Sequence, residues 1–207
     1  MASPPLTVNS NQSTTFWEKI AAKSVQVLVD SRFSSDEKKL IFSAAQNWND
    51  STRSFLKKDF FEVQVGTVPS DVTVRNAFNC NLNDSSLVYV VKESSSGDWQ
   101  SAGFNDGVPA ATVRCSHGGA LNQVVAIDEN GSFDSSQYLS MVMHELGHVA
   151  GLNHSCASET DPAGVHFVNC DGLSDWHPYH LAVMYPHLEA KDQLMPNDIQ
   201  RFQFLYQ

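Results

Sequence analysis

Basic residues are scarce in this chain. Its 207 residues carry 13 Lys and Arg against 23 Asp and Glu, a formal net charge of −10. That balance repels polyanions and lacks the basic stripe that nucleic-acid or anionic-lipid binding needs. Long apolar runs are missing too. The nearest, Ser136 to Leu152, is interrupted by His144, Glu145 and His148 and falls short of the roughly 20 apolar residues of a membrane span. There is no internal repeat. The four cysteines include no C-x-x-C pair, which argues against zinc held by thiolates. What is present suits a core. With 42% hydrophobic and 10% aromatic residues, wholesale disorder is excluded and the length fits one acidic globular domain.

Met1 to Thr15 holds two prolines and no periodicity. It reads as a flexible leader without the basic start or apolar stretch of a signal peptide, leaving residues 16–207 as the single domain. Cys80, Cys115, Cys156 and Cys170 allow three pairings. An even count without a thiol motif points to two disulfides and a secreted, extracellular setting; four buried free thiols in a cytosolic protein is the alternative. Cys156 with Cys170 is the preferred local pair, closing a loop of about 15 residues worth roughly 3 kcal/mol. Cys80 with Cys115 follows by elimination. Asn-x-Ser/Thr acceptors stand at Asn11, Asn49, Asn83 and Asn130, meaningful in a glycosylating secretory route.

Val25, Val27 and Val29 alternate as in a strand. Ser34-x-x-Glu37 forms a capping box ahead of Leu40, Ile41, Ala44, Ala45 and Trp48, predicting a helix from Ser35 to Asn49. Short β-rich runs follow at Phe61–Val65, Val72–Val74, Leu87–Val91, Ala111–Arg114 and Val124–Ile127, with the longest loop at Lys92–Pro109. Asp134 or Ser135 can cap a second helix whose Leu139, Val142, Leu146 and Val149 share one face. A last helix is expected near Asn197–Tyr206, burying Ile199, Phe202 and Leu205. This order predicts an α/β (α+β) fold: a mixed, twisted sheet of about five strands, two long helices and a C-terminal helix.

The second helix contains His144-Glu145-Leu146-Gly147-His148. Histidines four apart lie one turn above another, so both imidazoles can reach one cation. Glu145 points about 100° round the helix and can approach without displacing either. Gly151 allows a sharp exit from the helix, bringing His154 back as a third nitrogen ligand. Three neutral imidazoles leave a fourth tetrahedral position of Zn2+ open, the pattern of a catalytic rather than a structural site. Two histidines at i and i+4 are weak evidence alone. Five fixed positions on a helix ended by glycine are not.

His144 to His154, HELGHVAGLNH, resembles the zinc-binding motif of the metzincin metallopeptidases. Ala182-Val183-Met184-Tyr185-Pro186 is similar to the methionine turn of the matrixin branch, and Ser155 is the residue that matrixins tend to carry after the third histidine. Looser likenesses are Ser70–Val74 to a matrixin third strand and Asn197–Tyr206 to the closing helix. The resemblance implies a metzincin-like catalytic domain and a secreted, monomeric zinc endopeptidase acting on protein or peptide substrates. It also implies Glu145 as general base and then acid, Met184 as an apolar floor, and Pro186, His187 and Leu188 lining a pocket that prefers an apolar residue after the scissile bond. The departures are specific. His154 and Met184 are thirty residues apart, longer than in matrixins, and the added loop holds Cys156 and Cys170. The matrixin structural-zinc and calcium segments are not recognisable between Leu87 and Asp128. Asp128-Glu129-Asn130-Gly131-Ser132-x-Asp134 offers oxygens suited to Ca2+ but not a full ligand spacing. Asp175–His180 could hold a second metal or form an exposed aromatic loop beside the cleft. A metal-holding protein without turnover is the rival reading, and the intact Glu145 argues against it.

Overall fold

The computed structural model describes residues 23–79, 81–82, 87–105, 108–115, 122–156 and 170–206. The Met1–Thr15 leader, Asn11, Cys80 and Asn83 lie outside them, as does the side chain of Cys115 and hence the Cys80–Cys115 pairing. The first described element is strand β1 (Val25–Asp30), whose Val25, Val27 and Val29 are buried on one face. Helix α1 (Ser35–Leu56) begins at the expected capping box: Glu37 N–H donates to Ser34 Oγ at 3.2 Å, and Ser34 N–H donates to the Glu37 carboxylate at 2.6 Å. Strand β2 (Phe61–Gly66) follows. Val72–Val74, expected as a strand, instead leads into helix α2 (Val74–Phe78), because the Thr73 side chain accepts the Asn76 N–H at 3.2 Å and caps it. Next come β3 (Leu87–Glu93) and α3 (Ser96–Ser101), a helix inside the expected Lys92–Pro109 loop, capped by Ser95. Then β4 (Ala110–Cys115), β5 (Asn122–Asp128), α4 (Ser135–Val149), a 3-10 turn (Cys170–Gly172), a one-turn helix α5 (Pro178–Leu181) and α6 (Pro196–Tyr206) complete the order among the described residues.

The strands form one five-stranded mixed sheet in the order β2-β1-β3-β5-β4. The first four are parallel, and β4 runs antiparallel at the edge, with Thr112 opposite Val125. One face buries Trp48, Phe60, Phe61, Leu146, Met184 and Phe202 beneath α1, α4 and α6. The other packs Val91, Val113 and Val124 against α2 and α3. Alternation along β4 therefore sends Ala111 and Val113 to the second core and leaves Ala110 and Thr112 on the α4 side. The Phe202 ring ties α6 to the sheet, 4.8 Å from Phe60 and 5.6 Å from Trp48 between centroids. The Trp48 indole N–H joins α1 to α4 by donating to the Met143 carbonyl at 2.9 Å.

Helix α1 runs on past its expected end at Asn49. Asn49 and Thr52 look like helix-ending polar residues, yet both are buried. Asn49 Oδ1 accepts the N–H groups of Phe60 and Phe61 at 2.9 and 2.8 Å, and its Nδ2 donates to the Phe61 carbonyl at 2.9 Å. The Thr52 hydroxyl donates back to the Trp48 carbonyl at 2.7 Å. The helix stops at Lys57, whose φ of 61° is left-handed. A glycan at Asn49 is incompatible with this burial. Asn49→Ala would strand two N–H groups and one carbonyl, each costing about 1–3 kcal/mol. A urea-unfolding comparison should show a loss of at least about 2 kcal/mol; a loss below 0.5 kcal/mol would contradict this account of the α1–β2 junction.

Candidate metal centre

Helix α4 is set by Asp134, whose carboxylate accepts the N–H groups of Ser136 and Gln137, both at 2.9 Å, while Asp134 N–H donates to Gln137 Oε1 at 3.2 Å. His144 and His148 stand one turn apart on it, ring centroids 4.7 Å apart. The helix ends in a Schellman motif: Gly151 N–H donates to the His148 carbonyl and Leu152 N–H to the Gly147 carbonyl, both at 2.9 Å. Gly151 has φ 93°, a conformation in which a side chain is strained. The turn returns His154 to within 5.1 and 4.9 Å of the other two rings. The nitrogen ligand atoms of the three histidines all lie within 4.8 Å of one another. No other group of three or more His, Cys, Asp or Glu among the described residues could hold a metal ion.

Two backbone carbonyls decide which nitrogens are offered. His144 Nδ1 lies 2.8 Å from the Val183 carbonyl and His148 Nδ1 lies 2.8 Å from the Leu152 carbonyl. A carbonyl only accepts, so each Nδ1 carries the hydrogen and each Nε2 presents its lone pair. Burial, then the neighbouring His154, pushes the His144 imidazole down to about 3, against the pull of its bond to Val183. The ring is therefore neutral and ready to ligate. The three residues fit a metal ion.

Three anchors fix this geometry from behind. Ser155 N–H donates to the Met184 carbonyl at 2.7 Å, tying the third-ligand segment to the turn at Val183–Met184. The Asp198 carboxylate of α6 accepts the N–H groups of Val183, Met184 and Met195 at 2.9, 3.1 and 3.0 Å. Burial pushes that carboxyl up, against the downward pull of the three N–H groups and Arg201. Arg201 Nη2 donates to the carbonyls of Asn153 and His154 at 2.7 and 3.2 Å, and burial holds its guanidinium down to about 10. Met184 is fully buried, and a Cβ added at Gly147 would run into its sulfur. The methionine thus occupies the space that the missing Cβ of Gly147 leaves.

The histidines open onto a cleft of about 700 Å³. The edge strand lines one wall with Ala110–Thr112, and Pro186, His187 and Leu188 line another, together with Val183 and Met141. Glu145 also faces this cleft, only 6% exposed. Thr112 Oγ1 lies 2.7 Å from its Oε2 and 3.0 Å from its main-chain carbonyl oxygen. Cys156 and Cys170 form a disulfide directly after the third-ligand segment, Cα to Cα 5.3 Å. The Asp128–Asp134 oxygens are used locally: Asp128 Oδ1 accepts from Asn130 N–H and Nδ2, and Asp134 caps α4. His177 caps α5 by accepting the Tyr179 N–H, His180 pairs with Glu189 at 2.9 Å, and Trp176 beside them is 82% exposed. Thr112, Asp198 and Arg201 were not legible as site residues, because each reaches the centre from a distant element with no spacing to signal it. No protein-family model and no curated protein matches the chain.

Two outcomes follow from this packing. Gly147→Ala forces Met184 to move and presses on Trp48, and should lower stability by about 1–3 kcal/mol and weaken the binding of an added divalent metal ion in a chelator competition; unchanged stability would contradict the packing. The depressed His144 also makes the metal-free protein acid-sensitive. Its unfolded value of 6.5 lies above its folded value of about 3, so the unfolded state binds the extra proton. The contribution is whole above pH 6.5 and is lost as pH falls toward 3. Chemical denaturation of the metal-free wild type and His144→Asn across that window should give a steeper acid loss for the wild type; parallel curves would refute it.

Proposed function

We propose that the chain is a zinc-dependent endopeptidase of metzincin type, matrixin branch, acting outside the cell as a monomer on protein or peptide substrates. The observation that carries the reading is a nearly buried carboxylate, Glu145, that lines the same open cleft as three convergent imidazoles. An all-imidazole donor set of three suits zinc with a position left for chemistry. The chemistry that zinc supplies when bound is Lewis acidity, which brings the pKa of water down to about 7 and stabilises negative charge on a polarised carbonyl.

The chain's own residues supply the rest. Among the described residues strand β4 is paired on one side only, with β5, so its outer edge can bond an extended peptide by strand addition. That lays a scissile bond along Ala110–Thr112, beside Glu145. The Glu145 carboxylate takes a proton from the attacking water as its oxygen bonds the carbonyl carbon. The same group then gives that proton to the amine nitrogen as the C–N bond breaks, leaving a carboxylic acid and an amine. The wall of Val183, Pro186 and Leu188 favours an apolar side chain after the scissile bond.

Cleavage of a mixed peptide library at neutral pH, with and without 1,10-phenanthroline, tests this, alongside zinc analysis of the wild type and Glu145→Gln. The expected result is chelator-sensitive cleavage, with Glu145→Gln keeping one zinc per chain and losing on the order of 100-fold or more in kcat. Cleavage that survives the chelator, or near-normal turnover by Glu145→Gln, would overturn the reading.

A further inference from the structure

We infer that Thr112 is a positioning residue for Glu145, a hydroxyl that keeps the carboxyl in place in both halves of the proton transfer. The inference rests on the proposed proteolytic role of Glu145. Its basis is a short hydrogen bond to the carboxyl from a strand residue on the cleft wall. Thr112 Oγ1 stands 2.7 Å from Glu145 Oε2 and 3.0 Å from the main-chain carbonyl oxygen of the same residue. A threonine hydroxyl has one hydrogen to donate and lone pairs with which to accept. It cannot donate to both oxygens at once.

The shorter contact serves both stages of the reaction. While Glu145 is a carboxylate, the hydroxyl hydrogen goes to Oε2, the shorter and charge-assisted bond. When the other carboxyl oxygen takes the proton from water, Oε2 remains an acceptor and keeps its hydrogen bond from the hydroxyl. The carboxyl is therefore held before and after it carries the proton. A hold of this kind needs a fixed pivot. Thr112 sits opposite Val125 in the β4–β5 ladder, and its β-branched side chain is stiff at χ1. It also shares its strand with Ala110 and Ala111, the cleft wall along which a peptide would lie. The group that holds the base is therefore built into the surface that would register the scissile bond.

Thr112→Val keeps the shape and deletes the hydroxyl, whereas Thr112→Ser keeps the hydroxyl and deletes the methyl. In the zinc-loaded full chain, the valine variant should lose roughly 10–100-fold in kcat, with KM changed less than about twofold. Zinc content should remain one per chain, and the serine variant should recover activity to within about threefold of wild type. A crystal structure of Thr112→Val should show the Glu145 carboxyl rotated from its wild-type position. Equal losses in the serine and valine variants, a valine variant with wild-type kcat, or an unmoved carboxyl would each overturn the inference. Absence of cleavage by zinc-loaded wild type would sink the proteolytic reading instead, and the crystallographic comparison would then decide the positioning role alone.

Discussion

A buried carboxylate holds the floor of the candidate metal centre. Asp198 lies out of water on α6, where an unpaired charge would be costly, and it is satisfied by three backbone N–H groups from Val183, Met184 and Met195. Arg201, one turn further along the same helix, is equally buried and reaches the carbonyls of Asn153 and His154. The two form a bracket: one arm grips the turn beneath the helical histidines, the other grips the segment that carries the third. Neither arm is independent, because removing one leaves an opposite charge uncompensated in the interior. The bracket is itself seated by Phe202, which packs on Trp48 and Phe60.

Against that fixed floor, helix α4 does two things. It presents His144 and His148 from one face, and it accepts Met184 in the gap beside Gly147. Its glycines have different reasons for being glycine. Gly147 yields space to a sulfur, whereas Gly151 yields a backbone conformation that swings His154 home. The carbonyls of Val183 and Leu152, each a by-product of how the chain turns, then orient the rings. The ligand geometry is thus set by main-chain atoms that the turns themselves deliver.

What could be read from the sequence was what is local. The valine alternation of β1, the Ser34–Glu37 box, the Asp134 cap and the histidine spacing each depend on residues within a few positions, and each stands where it was expected. The nearby Cys156–Cys170 disulfide belongs with them. The failures share a physical cause. Asn49 and Thr52 carry polar groups that local chemistry assigns to a helix end, but their partners on β2 and within α1 keep the helix going. Val72–Val74 has strand composition, yet Thr73 caps a helix. Thr112, Asp198 and Arg201 act across long stretches of chain, and nothing in their own neighbourhoods announces the groups they serve.

The disulfide after the third-ligand segment bears on the entropy of loop closure. Thirty residues separate His154 from Met184, and the whole stretch must close because Ser155 and Met184 are hydrogen-bonded. Cys156 and Cys170 are 14 residues apart and lie within it. Their bond lets the chain skip that span, cutting the free contour to about half. Halving a flexible loop recovers about 0.6 kcal/mol of closure entropy, and the cross-link itself constrains the unfolded chain by more. The long stretch from His154 to Met184 therefore behaves, as far as bringing His154 to the floor beneath it is concerned, like a much shorter tether.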